Sequence, residues 1–519
     1  MAQLTTICAR ARIRQRASCL IIPGVPVKLI EHFESSRLAR DLRRRVSVSL
    51  LTEQAIVMKF GGTSVEDARA FARVARIVGA RCDQHPVVVV SAMSRVTDAL
   101  FAGVETAAAG DADLALLSLE EHFERHAQVA RILPAGARDE FFFELETARR
   151  GLAELFRRVA GAQQPRPPLQ DQIVSYGECL SAKLLAAVLA ERGLLAAYID
   201  ARRCIITNAD HGCAIPINEE TYQHTRAELA PPLADGKLPV LGGYIGATLD
   251  GQTTTLGRGG SDYTAALIGA GIEAREIQIW TDVNGVLTAD PRVVPHARTI
   301  PRLSFAEAAE LAYFGAKVIH PKTILPAVIR SIPVRICNSR DPEGAGTGVY
   351  FDAEMSPRTV KAIAHKKGIT VLHITSARML GAYGFLRALF EVFERHRTIV
   401  DIVTTSEVSV SLSLEDTSTI DEIVKDLRAI AAVKVETNLA VVCIIGEELR
   451  YTSGIAARIF STLGDINVLL ISQGASNVNL TFVVAERDVE ETVRRLHASL
   501  FECDTQELAT LFQRKEGVS

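Results

Sequence analysis

The chain has 519 residues, too many for one ordinary core, and length alone predicts two to four domains. Apolar residues make up 48%, enough to fill several cores, which excludes global disorder. A net charge of -3 leaves no global basic surface for nucleic acid, so an anionic small molecule would have to be held by local charges.

The nine cysteines (Cys8, Cys19, Cys82, Cys179, Cys204, Cys213, Cys337, Cys443 and Cys503) are irregularly spaced and form no CxxC pair. Neither a disulfide framework nor a cysteine zinc site is expected; buried thiols in a reducing cytoplasm are. No uninterrupted apolar run approaches the roughly 18 residues of a membrane-spanning helix, so no membrane partner is expected. Residues 1–54 are basic and acid-poor, with Arg10, Arg12, Arg14 and Arg16 and then Arg43, Arg44 and Arg45. That composition suits a transit peptide and would imply plastid import. A disordered stretch, or a start at Met58, is the simpler expectation, and with it a cytoplasmic location.

Ala55 to Phe60 reads as a buried strand, broken by Gly61-Gly62-Thr63-Ser64. Val65, Ala68, Phe71, Ala72 and Ala75 then recur at helical spacing, with Thr63 or Ser64 as the expected N-cap. Val87 to Ser91 is the next strand. Alternating strands and helices predict a mostly parallel sheet covered on both faces. Ala99 to Leu155 is a helical insertion ending at Pro165-Arg166-Pro167-Pro168. A helix over Gln172–Leu189 follows, with Ser175-Tyr176-Gly177-Glu178 at its start. Lys237 to Ile245 is a strand. A long loop then ends in Gly257-Arg258-Gly259-Gly260-Ser261-Asp262, followed by a helix from Tyr263 to Gly271. Ile277 to Thr281 is a further strand, running into the turn Asp282-Val283-Asn284-Gly285. Arg340 to Gly346 marks a boundary.

Beyond it lies an internal repeat. Gly384, Phe390, Ser406 and Val408 align with Gly454, Phe460, Ser476 and Val478 at an offset of about 70 residues. Each copy has a helix and two alternating strands, so two small sheets are expected, each with one polar face.

Several stretches carry chemistry. The loop Gly61-Gly62 between strand and helix suits phosphate, with Lys59 beside it, although a plain tight turn accounts for two glycines equally well and no P-loop pattern is present. Gly257 to Asp262 offers three glycines for close approach of a ligand and an arginine able to fork onto a carboxylate. Ser261 and Asp262 alone could be helix caps. Thr281 to Val286 and Ala289-Asp290-Pro291-Arg292 follow a strand, where ligands of open α/β sheets bind. Gly269 to Ala274 fits GxGxxA but ends a helix, so it reads as a C-cap.

Together these stretches resemble the aspartate kinase family, within the amino-acid kinase fold. Lys59 to Val65, Ser91-Ala92-Met93 with Thr97, Ser175 to Glu178, Gly257 to Asp262, Thr281 to Val286 and Ala289 to Arg292 look like its motifs, in family order. The repeat looks like its paired ACT domains, and the helical insertion with Val403 to Ser409 looks like the single-function, lysine-inhibited type. The resemblance implies an α/β amino-acid kinase domain over 55–346, followed by two α+β, ferredoxin-like ACT units over 366–438 and 439–519. It implies transfer of a phosphoryl group from ATP, with Mg²⁺ held mainly through the nucleotide, to L-aspartate, on the route to lysine, threonine and methionine. Its nucleophile would be the β-carboxylate, ionised at neutral pH with a reference pKa of about 3.9, so no general base is needed.

Roles follow from the same resemblance. Lys59 and Asp262 would be catalytic. Ser91, Thr97, Glu178, Arg258, Gly260 and Ser261 would hold aspartate. Lys59, Phe60, Gly61, Gly62, Thr281, Asp282, Arg292 and Lys317 would hold ATP, and no residue is assigned to a metal. Met379, Phe385, Asp401, Thr405 and Ser406 would bind an effector, lysine or also threonine; Asp401 faces Ile471 in the second copy, so only the first copy has that carboxylate. Pairing of ACT units implies a homodimer or a tetramer. Asn284 and Arg95 depart from the family pattern, and His320 reads as structural. A glutamate or carbamate kinase would leave the sensor repeat and Glu178 unexplained, and a catalytically dead sensor would not need Lys59, Arg258 and Asp262.

Overall fold

The computed structural model describes residues 54–161, 166–315, 321–351, 359–381 and 383–502. The arginine-rich stretch before Gln54, Lys317 and His320 lie outside the described residues.

The described residues open with β1 (Ile56–Phe60), a single 3-10 turn (Gly62–Val65), α1 (Ala68–Gly79) and β2 (Val87–Val90). The cap of α1 is Asp67, whose carboxylate accepts the Ala70 N–H at 2.8 Å. Neither Thr63 nor Ser64 caps it, because the extra turn separates the glycine loop from the helix. Ser64 is instead buried and donates to the Ser339 hydroxyl at 3.0 Å.

The insertion comprises α2 (Val96–Ala108), α3 (Ala112–Leu117), α4 (Glu120–Ala130) and α5 (Ala135–Ala160), and leads to α6 (Arg166–Glu191). The last helix starts earlier than Gln172, because Pro167 and Pro168 fall in its first turn, where a missing N–H forfeits no bond. Ser175 to Glu178 therefore lie inside the helix rather than at its start. By length and hydropathy α6 could cross a membrane, but it carries Asp171, Glu178 and Lys183, and most of its residues are buried inside the fold.

Next come β3 (Ala196–Ile199), β4 (Ile206–Thr207), α7 (Asn218–Ala234), β5 (Leu238–Gly242), β6 (Ile245–Thr248), β7 (Thr253–Thr255), α8 (Gly260–Ile272) and β8 (Glu276–Thr281). They are followed by β9 (Arg302–Ser304), α9 (Phe305–Tyr313), α10 (Pro321–Ile329), β10 (Val334–Asn338) and β11 (Thr347–Tyr350). One eight-stranded sheet has the order β3-β5-β2-β1-β8-β10-β11-β9. From β3 to β10 the pairings are parallel. Every residue of β2 is buried, as expected for a strand covered on both faces. Arg340 to Gly346 proves to be a hairpin turn, since β11 returns antiparallel to β10.

The remainder holds β12 (Val360–Thr375), α11 (Phe385–Arg395), β13 (Val403–Thr405), β14 (Ser409–Leu414), α12 (Ile420–Arg428), β15 (Ala432–Gly446), α13 (Ile455–Leu463), β16 (Leu470–Gln473), β17 (Asn479–Ala485) and α14 (Val489–His497). Gly384 and Gly454 cap their helices in the same left-handed conformation, φ 82° and 77°, which explains glycine at both repeat positions. The copies do not form two sheets. They share one, in the order β13-β14-β12-β15-β17-β16, because β12 and β15 are long enough to serve both. Val360 and Ile363, early in β12, pack in the core of the second copy, and Leu372 and Ile374 in that of the first.

The two halves meet around a buried ion pair. Lys361 Nζ of β12 lies 2.9 Å from the Glu307 carboxylate, with side-chain exposures of 4% and 1%. Glu307 also accepts the Ser304 N–H at 2.7 Å, completing the capping box that starts α9. Lys361→Ala should destabilise the chain by about 3–5 kcal/mol in urea unfolding, because Glu307 is left as an uncompensated buried charge. Lys361→Met combined with Glu307→Gln should lose less than the sum of the two single changes.

Candidate active site

Strands β5, β2, β1 and β8 end side by side, with Phe60 in register with both Val90 and Trp280. Backbone hydrogen bonds knit the loops that leave them. Gly61 donates to Trp280 O at 3.2 Å, Ser91 to Phe60 O at 3.0 Å, Ser94 to Gly62 O at 3.2 Å and Gly243 to Val90 O at 2.8 Å. A Cβ on Gly62 would sit 3.0 Å from Ala92 O, so this crossing leaves little room for a side chain. The Phe60 ring is fully buried and stacked on Trp280 at 5.8 Å, which leaves only its backbone for a ligand.

Lys59 reaches across the glycine loop to Asp262, Nζ to Oδ1 2.6 Å, with both side chains largely buried. Asp262 and Ser261 belong to the first turn of α8, whose N-cap is Gly259 at φ 75° with no side-chain cap. Capping therefore does not account for either residue. Gly260 is packed so tightly that an added Cβ would lie 2.5 Å from the Tyr244 ring. Ser261 lies against the Gly243 backbone. Arg258, in the loop before the helix, is exposed.

Glu178 comes from α6 and is 2% exposed. The Thr97 side chain and the Ala92 backbone face its carboxyl group and favour its charged form, and Gly242 packs behind it. Oε2 is buried with no protein hydrogen-bond partner. Burial pushes this carboxyl up to about 8, so without a ligand it is largely protonated at neutral pH. A ligand ammonium would satisfy the bare oxygen and restore the charge. Arg95, at the start of α2, is exposed and left-handed at φ 68°.

Two supports carry no motif signal. Asp171, 1% exposed on α6, accepts from His211 Nδ1 at 2.8 Å, the Thr255 hydroxyl at 2.6 Å and the Gly212 N–H at 3.1 Å. It thereby ties the turn at His211–Gly212 to β7, just before Gly257 and Arg258. Arg125 of α4 donates to Ser94 O at 2.9 Å and Glu66 O at 3.0 Å, clamping the loops after β1 and β2. Only contacts distant in sequence reveal these roles.

After β8, Thr281, Asp282, Ala289 and Pro291 line a cleft of about 340 Å³, closed on its other side by Ile363, Ala364 and His365 of β12. Arg292 is also at this cleft, but it folds onto its own Asp290 at 2.6 Å and is 88% exposed. Farther off, Met379 and Phe385 pack against the core of the first repeat copy. Asp401, just before β13, accepts a hydrogen bond from the Tyr313 hydroxyl at the end of α9. Burial raises its carboxyl above the usual range. Thr405 and Ser406 are exposed, and the Ser406 and Ser409 hydroxyls share a hydrogen bond at 2.7 Å.

A glycine-rich cradle at the carboxyl edge of a parallel sheet, with a repeat-built second half, defines a small-molecule phosphotransferase of the amino-acid kinase class with a sensor attached. Comparison with known proteins agrees. The model of the amino acid kinase family matches residues 54–338, and that of an ACT domain matches residues 442–500. The chain is 39% identical over 464 residues to the lysine-sensitive aspartokinase 3 of Escherichia coli, covering 86% of this chain and 99% of that one. It is 39% identical over 465 residues to the chloroplastic aspartokinase 3 of Arabidopsis thaliana, covering 86% and 82%. The crystal structure of E. coli aspartokinase III with aspartate and ADP matches with a TM-score of 0.73 at 38% identity, over 86% of this chain and 100% of that one. The same enzyme with lysine and aspartate gives the same values. The chain belongs to the amino acid kinase family and, within it, to the aspartokinases, enzymes that phosphorylate aspartate.

The environment of Glu178 predicts a pH dependence of stability. Its folded pKa lies above the unfolded value, so the folded chain holds the extra proton. Stability of the ligand-free protein should be greatest below about pH 4.5 as far as this group contributes, and fall as pH rises to about 8. Urea unfolding at pH 5.5 and 8.5 should show that loss in the native chain and a smaller one in Glu178→Gln.

Proposed function

We propose that the chain transfers the γ-phosphoryl group of ATP to the β-carboxylate of L-aspartate, giving 4-phospho-L-aspartate, and that lysine binding in the first ACT unit restrains it. The observation that carries the substrate reading is the bare Glu178 oxygen in a site that also holds the Lys59–Asp262 pair.

In this reading Glu178 takes the substrate ammonium, with the Thr97 side chain and the Ala92 backbone facing its carboxyl group. Arg258, exposed beside left-handed glycines, takes a substrate carboxylate, and Ser91, Gly260 and Ser261 complete that wall. The β-carboxylate is already an anion and attacks phosphorus directly. A carboxylate O–P bond forms, the bond to the β,γ-bridging oxygen breaks, and ADP leaves with that electron pair. No proton moves, so alignment and charge neutralisation carry the rate. Lys59 neutralises phosphoryl oxygens over Gly61 and Gly62, and Asp262 holds its ammonium in place. Thr281, Asp282 and Arg292 border the nucleotide cleft. Asp262 is committed to Lys59, and the described residues offer no carboxylate cluster here, so Mg²⁺ fits as an ion held through the nucleotide phosphates.

The regulatory reading rests on Asp401. Its present partner is a tyrosine of the catalytic half, so an effector ammonium would compete with Tyr313 for the carboxylate. Lysine, with a side-chain ammonium, suits that carboxylate better than threonine. The exposed edge strand β13 and apolar side chains such as Leu386 and Phe390 support pairing of ACT units into a homodimer. The unpaired thiols among the described cysteines support a cytoplasmic location.

Trapping the acyl phosphate with hydroxylamine tests the activity. Lys59→Ala should lower kcat at least about a hundredfold, and Arg258→Ala should mainly raise KM for aspartate; near-normal turnover in the first or an unchanged KM in the second refutes the role assigned. Asp401→Ala should raise the half-inhibiting lysine concentration at least about tenfold, the loss of one charge-assisted contact. Tyr313→Phe should lower it about fivefold, by removing one competing hydrogen bond. Equal sensitivity in both variants sinks the effector site.

A further inference from the structure

We propose a second ligand site, for a divalent transition metal of the zinc class, formed by His296, His497 and Glu502 where the loop after the nucleotide turn meets the end of the second ACT unit. These groups are remote in sequence. His296 follows Ala289–Arg292, His497 ends α14, and Glu502 lies just beyond it. Yet His296 Nε2 and His497 Nδ1 each lie 2.7 Å from the same Glu502 oxygen, Oε1. All three ligand-type atoms fall within 4.8 Å of one another.

The supporting contacts are those of a metal-binding histidine. His497 is 1% exposed, and its other ring nitrogen lies 2.9 Å from the Thr288 hydroxyl. Thr288 is itself fixed by accepting the Arg298 N–H at 3.0 Å. A partner on the remote nitrogen orients the ring, and with a metal on Nδ1 in place of its present proton, Nε2 would carry the proton and donate it to the Thr288 hydroxyl. Phe501, 4.8 Å from the His497 ring centroid, forms an apolar wall.

Donor chemistry selects the ion. Two imidazoles and one carboxylate suit Zn²⁺, with water as fourth ligand, whereas Mg²⁺ prefers oxygen donors alone. Metal–ligand distances of about 2.0–2.1 Å put tetrahedral ligand atoms about 3.3 Å apart. The contacts to Glu502 need open slightly from 2.7 Å while the two imidazole nitrogens, up to 4.8 Å apart, close toward each other, a movement that His296, 64% exposed on a loop, can make. A bound ion would staple the segment carrying Asp290 and Arg292 to α14.

The test is titration of the chelator-treated full-length chain with Zn²⁺ by calorimetry and with Co²⁺ by visible absorption. One equivalent per chain should bind with micromolar affinity or tighter, Co²⁺ giving the intense bands of a tetrahedral site. His296→Ala, an exposed change that should leave folding intact, and Glu502→Gln should each weaken binding at least tenfold. Absence of saturable binding overturns the proposal and leaves a trio that shares protons only. Binding that survives His296→Ala, or that vanishes when the exposed thiols Cys82 and Cys213 are blocked, also overturns it.

Discussion

The buried Lys361–Glu307 pair is the constraint on which the relation of the two halves depends. Taking both charges out of water is repaid only if their geometry is held, and here it is held from two sides. Glu307 is fixed by the capping box of α9, and Lys361 by its place in the longest strand of the second half. The pair thus pins the start of α9 to the start of β12. Ile363, two residues on, donates to Thr288 O at 2.8 Å, and the backbone of His365 closes over Gly315. The cleft after β8 consequently has one wall from the catalytic half and one from the sensor.

The chemistry at the other end of the sheet is economical in a different way. Phosphorylating a carboxylate that is already ionised requires no base. The site pairs a lysine with an aspartate and holds a glutamate whose carboxyl burial pushes toward its neutral form. These are opposite solutions to carrying charge in a low-dielectric place. Lys59 is charged and paired within the protein. Glu178 is left incompletely bonded, and in the proposed reading a ligand ammonium would be the partner that ionises it.

Much of this was legible in the sequence, for definite reasons. Strands alternating with helices announced a mostly parallel sheet, and the loops that follow its strands were where a ligand was expected. The repeat was visible because Gly384 and Gly454 perform one conformational task. Errors arose where local rules allow two outcomes. Prolines at the first turn of α6 looked like breakers, and an extra 3-10 turn moved the cap of α1 to Asp67. The shared sheet was hidden because nothing in a strand's alternation states how many partners it will serve. Asp171, Arg125 and Tyr313 were missed because their contacts join segments far apart in the chain.

The link between Tyr313 and Asp401 shows why that last class matters. Aspartate at 401 reads from sequence as a lone carboxylate awaiting a ligand. In the folded chain it already holds a hydroxyl from α9, the helix whose start is pinned by Glu307 and whose end leads to Gly315 beneath His365. A cation that displaced Tyr313 from this carboxylate would break a bond to the catalytic half. A helix tethered at both ends transmits such a change along its axis, because it is far stiffer than the loops around it. On the effector site proposed above, coupling between the sensor and the cleft after β8 would need no long chain of contacts, since α9 alone runs from Glu307 to Tyr313.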